Sequence, residues 1–184
     1  MKKIILLIMC LFFGGVIMSS ALDMVQENIF KLSSNELKDN DTLPNAQVYN
    51  GYGCKGRNVS PQLKWVNPPE NTKSFAIVCH DPDAPRQNGW YHWLVINIPK
   101  NVNSINQGEK ISSATETVTD FETTGFGGAC PPVGHGIHHY NFTVYALDVE
   151  TLDVKQTDKP LLVHNEIKKH TIAKSTITGL FERK

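Results

Sequence analysis

Read along the chain, hydrophobic residues gather in two runs around a polar knot. The first run is SFAIVCH at 74–80 and the second is WYHWLVINIP at 90–99; between them lie DPDAP and a short polar turn, RQNG. Both runs are rich in β-branched and aromatic residues, so they predict two strands joined by an irregular loop. A third run, YNFTVYALD at 140–148, sets Tyr140, Phe142 and Val144 at the two-residue period of a strand. Brief alternations at Phe30-Lys31-Leu32 and Ala46-Gln47-Val48 predict two short strands, and the Ser- and Thr-rich stretch 111–124 fits strand or loop. Asp158-Lys159-Pro160 is a helix-start signal. The following LLVHNEIKKHTIAKS places Val163, Ile167, His170 and Thr171 on one stripe of an amphipathic helix, with His164 and His170 read as surface residues. STITGLFERK then predicts a last short strand. Helical periodicity is otherwise scarce and Gly and Pro are frequent, which favours a mainly β architecture with long loops.

The beginning of the chain follows a different pattern. Lys2 and Lys3 precede an apolar run at 4–18, followed by Ser19, Ser20 and Ala21, the three-part plan of a secretory signal. A membrane span needs about 20 apolar residues, so this run is short for an anchor. Met9 is bulky where a lipid-attachment signal at Cys10 wants a small residue. The expected organisation is a signal peptide at 1–21 and a single domain at 22–184, secreted or periplasmic, with no transmembrane anchor in the mature chain. At 184 residues the chain is long enough for one full core. Eighteen basic residues balance eighteen acidic ones, so the basic face that nucleic-acid binding needs is not expected.

Export changes the reading of the cysteines. Cys54, Cys79 and Cys130 remain after the signal, and an oxidising compartment favours pairing two of them. Cys54 and Cys130 sit in glycine-rich loops, GYGCKG and GGACPP, whereas Cys79 lies inside an apolar run and reads as a small buried hydrophobe. A Cys54–Cys130 disulfide is expected; the alternative is three free thiols.

Candidate chemistry concentrates at two places distant in sequence. In DPDAP, Pro82 and Pro85 fix φ and push the residues before them toward extended geometry, so Asp81 and Asp83 sit on a stiff bend at the mouth of a strand. His92 follows between two aromatics. In CPPVGHGIHHY, His135, His138 and His139 arrive on a glycine-rich bend just before the third run. Ordinary turn chemistry and packing explain each piece alone.

Together, HDPDAP, GWYHW, CPPVGHGIHHY and NVSPQLKW resemble the phosphatidylethanolamine-binding protein family, in particular its bacterial, Raf-kinase-inhibitor-like branch, over about 51–183. The resemblance implies a β-sandwich-like fold, with a large antiparallel sheet packed on a smaller one and a helix near the C-terminus. It also implies one small pocket for phosphate-like groups. Carried onto this chain, the ligand-binding set is Asp81 supported by Asp83, then His92, Pro131, Pro132, Gly136, His138 and Tyr140. His139 stands where the family motif has arginine, which removes a permanent charge and a planar fork. If that arginine holds one of the loop acids in the family, its loss leaves Asp83 or a neighbour less firmly paired, and the pocket looser or pH-dependent.

Physics limits what such a pocket accepts. A phosphate about 4 Å from a carboxylate is repelled by roughly 4 kcal/mol at an effective dielectric of 20. Protonation of His92 or His138 would offset this, with anion binding strengthening below about pH 6.5. A zwitterionic head group is the other answer. The expected function is therefore binding of a small anionic or zwitterionic ligand, without a cofactor, by a monomer or homodimer that modulates some protein partner. The rival is a hydrolase or metal-dependent enzyme using the same Asp and His residues; no nucleophile sits in a G-x-S-x-G elbow. Two imidazoles and a carboxylate satisfy a three-ligand zinc plan, but no H-E-x-x-H pair is present.

Overall fold

The computed structural model describes residues 29–184. The signal expected at 1–21 lies outside the described residues. Within them the chain runs β1 (Lys31–Ser33), β2 (Asp41–Thr42), β3 (Leu63–Val66), β4 (Ser74–Asp81), β5 (Trp90–Pro99), β6 (Ser104–Ile105), β7 (Thr115–Glu116), β8 (His138–Leu147), α1 (Pro160–Lys169) and β9 (Thr171–Phe181). The large sheet has the order β2-β9-β8-β4-β5-β7 and the small one β1-β3-β6. All pairings are antiparallel except the two-residue β2–β9 pair. The expected sandwich of a large and a small sheet with a C-terminal helix is therefore the observed architecture.

Strand periodicity divides the core into two layers. On β4, Phe75, Ile77 and Cys79 enter the core between the sheets, where Leu32, Leu63 and Trp65 of the small sheet meet them. Ala76 and Val78 face the other way and pack with Leu94, Ile96, Val163 and Ile167 beneath α1. Because β4 is covered on both faces, it reads as a continuous apolar run rather than an alternating one. Asp81 continues the Phe75, Ile77, Cys79 series, so its side chain belongs to the sandwich side of the sheet. His80 continues the other series and stacks on Tyr91 with ring centroids 4.4 Å apart.

Strand β5 breaks the simple period where it matters. Cys79 pairs with Trp93 and His80 with Tyr91, so His92 is an extra residue with no counterpart on β4. A bulge of this kind bends the strand and re-aims a side chain. It gives His92 a direction that alternation from Tyr91 and Trp93 would not assign.

Three local expectations are corrected. Ala46-Gln47-Val48 is not a strand: Asn45–Gln47 forms a 3-10 turn after Pro44, and only Val48 makes a bridge, to Ala129. The helix stops at Lys169 instead of running on through Thr171, and the last strand is long, not short. Thr171 begins β9, which pairs with β8 from Thr171 opposite Leu147 to Phe181 opposite His138. A ten-residue neighbour already in the sheet outweighs a weak helical period, and the β-branched residues of TIAKSTIT suit the strand. His164 is not a surface residue. Its ring is buried, with Nδ1 2.9 Å from Tyr91 Oη and Nε2 2.9 Å from Tyr145 Oη, which pins α1 to the large sheet. His170 does remain partly exposed at the helix end, beside Asp148 and Glu166. Among the described residues no helix is long and apolar enough to cross a membrane.

Candidate functional site

Antiparallel order brings the end of β4 and the starts of β5 and β8 to the same end of the large sheet. Asp81 is the last residue of β4 and His138 the first of β8. Their side chains meet there, with His138 Nδ1 2.7 Å from Asp81 Oδ2 and side-chain exposures of 1% and 3%. The other carboxylate oxygen, Oδ1, accepts the backbone N–H of Asp83 at 2.9 Å, the local turn that Asp favours two residues before an amide. Both oxygens of a carboxylate held out of water are thus satisfied, as burial of a charge requires.

His92 approaches from the bulge. Its Nδ1 lies 2.8 Å from the carbonyl oxygen of Gly127, and the Gly127 N–H donates back to the His92 carbonyl at 2.9 Å. A carbonyl only accepts, so Nδ1 carries the proton and Nε2 is left with its lone pair. Burial pushes the imidazole down to about 4, against the opposing pull of the Gly127 carbonyl and of Asp81. His92 is therefore neutral near pH 6.5, which overturns the expectation that its protonation offsets the charge of Asp81 there. Tyr140 completes the group: burial, with Asp81 adding to it, pushes its phenol up and keeps the hydroxyl protonated.

These side chains border a cavity of about 200 Å³ lined by Asp81, His92, His138 and Tyr140 together with Pro131 and Pro132. Its remaining walls include the aromatic rings of Trp90, Phe121 and Tyr52. Phe121 sits 5.3 Å from Trp90 and 5.4 Å from His92, ring centre to ring centre. Tyr52 is carried by the loop that Cys54 ties to Cys130 through a disulfide, with Cα atoms 5.9 Å apart. Arg183 donates to the carbonyls of Tyr52 and Pro131, so the C-terminal tail braces the same two loops. Cys79 is the free thiol among the described residues; it is buried, and burial pushes its pKa well up.

Two residues of the expected set do not reach the cavity. Gly136 lies on the exposed bend before β8, and Asp83 turns its carboxylate outward to His139. Asp83 Oδ2 takes both the ring Nδ1 and the backbone N–H of His139, each at 2.8 Å. Slight burial pushes the Asp83 carboxyl up, but these hydrogen bonds and the imidazole outweigh it, and the group titrates below its ordinary range. Histidine in the arginine position thus still pairs Asp83. Trp90, Phe121 and Tyr52 were not among the expected residues. Trp90 stands inside the quoted GWYHW motif, so its neighbour His92 was the available signal; nothing local marks Phe121. Among the described residues no three His, Cys, Asp or Glu side chains are grouped so as to hold a metal ion.

The two-sheet fold is shared with proteins of known structure. The family model described as phosphatidylethanolamine-binding protein matches residues 33–182. The chain belongs to this family. It is 43% identical over 157 residues to UPF0098 protein YbhB of Escherichia coli, covering 82% of this chain and 99% of that one. It is 42% identical over 166 residues to UPF0098 protein YbcL of the same organism, covering 86% and 91%. The crystal structure of E. coli YbcL, described as a new member of the mammalian PEBP family, superposes with a TM-score of 0.82 at 41% identity, covering 84% of this chain and 99% of that one. A phosphatidylethanolamine-binding protein homologue from Chlamydia trachomatis gives a TM-score of 0.73 at 28% identity, covering 85% and 99%.

Proposed function

We propose that this protein is an exported binder of small phosphate-bearing zwitterions, such as a phospholipid head group or its free phosphate ester, and acts as a modulator of other proteins. The observation that carries the reading is the Asp81–His138 pair, buried in the wall of a small cavity that also presents the lone pair of His92. The cavity holds roughly seven waters at about 30 Å³ each and falls short of the ~300–1,000 Å³ of drug-sized sites. That size suits a head group and excludes a long chain from being fully enclosed.

Charge selects among small ligands. With His92 neutral, Asp81 meets an incoming anion uncompensated unless His138 is charged. A zwitterion avoids that cost: its ammonium group faces Asp81 and the His92 lone pair, and its phosphate accepts from the Tyr140 hydroxyl and meets the neutral His138 ring through P–OH. Free phosphate, with no ammonium to offset Asp81, then binds more weakly. Calorimetric titration with O-phosphorylethanolamine, inorganic phosphate and ethanolamine tests the reading. The zwitterion is expected to bind best, with at least a tenfold loss in His138→Ala, each tenfold being about 1.4 kcal/mol. Equal or absent binding of all three would overturn it. Export is tested separately, by mass spectrometry of the protein recovered outside the cytoplasm, with cleavage after Ala21 expected.

A further inference from the structure

We infer that His135 is a built-in competitor for this site: its imidazole occupies the ring nitrogen of His138 that a ligand phosphate needs, and it must leave before that nitrogen is free. The inference rests on the head-group reading above and adds to it a residue that controls access.

The geometry begins at Asp81. Its carboxylate accepts from His138 Nδ1, so in a neutral His138 ring the only other polar atom is the Nε2 lone pair. His135 Nδ1 sits 2.7 Å from that Nε2. That lone pair accepts from a donor, which a phosphate supplies as P–OH; if His138 is instead charged, its Nε2–H donates, to His135 here or to a phosphate oxygen once His135 has left. Either way the nitrogen already has a partner, and a ring nitrogen takes only one. The cavity therefore meets a His138 whose hydrogen-bonding capacity is spent on both sides, on Asp81 within and on His135 without. His135 does not itself line the cavity; it covers the histidine that does.

The two partners differ in how firmly they are held. Asp81 and His138 are buried in the large sheet, whereas every residue from Pro132 to Ile137 is exposed. Beyond the His135 ring contact with His138, this stretch of the bend is tied by the His135 N–H to the Pro132 carbonyl at 3.3 Å and the Gly134 N–H to the Arg183 carbonyl at 2.9 Å. His135 stands between Gly134 at φ +72° and Gly136 at φ +88°, and neither has any atom within 4 Å of the place a Cβ would occupy. Glycines in open space at positive φ leave the bend free to re-form without a clash. Val133 and Ile137 are 63% and 54% exposed, so apolar packing does not hold the bend down. Turning the His135 side chain away breaks its ring hydrogen bond to His138, leaves the backbone bonds of the bend in place, and lets water resolvate the ring.

The net worth of such a bond corresponds to roughly a two- to tenfold change in an equilibrium constant. Titration of wild type and His135→Ala with O-phosphorylethanolamine is the test. Removal of the competitor is expected to tighten binding two- to tenfold. Nitrogen-15 NMR of the histidine rings in the ligand-free proteins is expected to show a changed His138 Nε2 signal in the variant. An affinity that is unchanged or weaker in His135→Ala, while wild type binds and His138→Ala does not, overturns the competitor and leaves the head-group reading standing. An unchanged His138 signal also overturns it. Binding that survives in His138→Ala, or fails in every protein, overturns the head-group reading and this inference with it.

Discussion

Asp81 and His138, separated by 57 positions in the chain, share a 2.7 Å contact in which neither side chain reaches bulk water. The pair exists because β4 ends where its antiparallel neighbour β8 begins. Sheet topology, rather than any local motif, makes two polar bends into one wall.

Removing one member of this pair should cost more than an exposed ion pair would. His138→Ala leaves a buried carboxylate without its imidazole, a loss of about 3–5 kcal/mol for breaking a buried pair. Urea unfolding of wild type and variant measures it. A difference below about 1 kcal/mol would mean that water reaches Asp81 freely.

The anchor between helix and sheet offers a second test. His164→Leu removes the ring that partners the Tyr91 and Tyr145 hydroxyls; Tyr91 is left unpaired, while Tyr145 keeps its hydrogen bond with Thr143. An unsatisfied buried group costs about 1–3 kcal/mol, so a loss in that range is expected. Amide exchange should localise the effect to α1 and the face of β5 and β8 beneath it.

Acid should destabilise the fold through its buried imidazoles. Burial pushes His92 down to about 4 and His164 to about 3, the latter helped by Lys168, His80 and Lys174. Their folded values lie below the unfolded value near 6.5, so the unfolded chain takes up protons first as pH falls. The stability they contribute is complete above about pH 6.5 and is lost progressively below it, at about 1.4 kcal/mol per pH unit for each. Unfolding free energies from denaturant titrations at pH 7 and pH 5 are expected to differ by on the order of 3–4 kcal/mol. Equal midpoints would contradict two neutral buried rings.

The disulfide gives a chemical readout. Cys54 and Cys130 close a loop across a sequence separation of 76, and a Cys54→Ser, Cys130→Ser double variant should lose roughly 2–4 kcal/mol. Thiol titration of the native protein should find no reactive sulfhydryl, with Cys79 appearing only on unfolding. Three reactive thiols in the native, oxidised protein would contradict the pairing.

How much of this was legible in the residues varied with how local the cause was. Asp81 and His138 could be singled out as polar residues on a proline-stiffened and a glycine-rich bend, whereas Pro131 and Pro132 as walls came only from the family resemblance. The strands β4, β5 and β8 were legible as dense apolar runs between turn signals. The role of His92 was only half legible, because its direction comes from a bulge, and a bulge is a property of two strands in register. Phe121 and Tyr52 come from loops that reach the cavity through long-range ties, so no spacing points to them. His164 was misread because a polar residue on a helix is ordinarily placed outside. Yet Pro160, Val163, His164 and Ile167, the buried residues of α1, fall at the i, i+3, i+4, i+7 spacing of a core-facing stripe. The overlong helix failed for a tertiary reason, since β8 offered a complete pairing edge that helix propensity could not outweigh.

The most direct test of the account is an NMR titration of the histidine rings with O-phosphorylethanolamine. The account predicts that the ring signals of His92 and His138 shift together and saturate together, while those of His164 and His170 stay in place. Shifts confined to His164 or His170, or no shift at any ring as ligand rises, would contradict a head-group site built on Asp81 and His138.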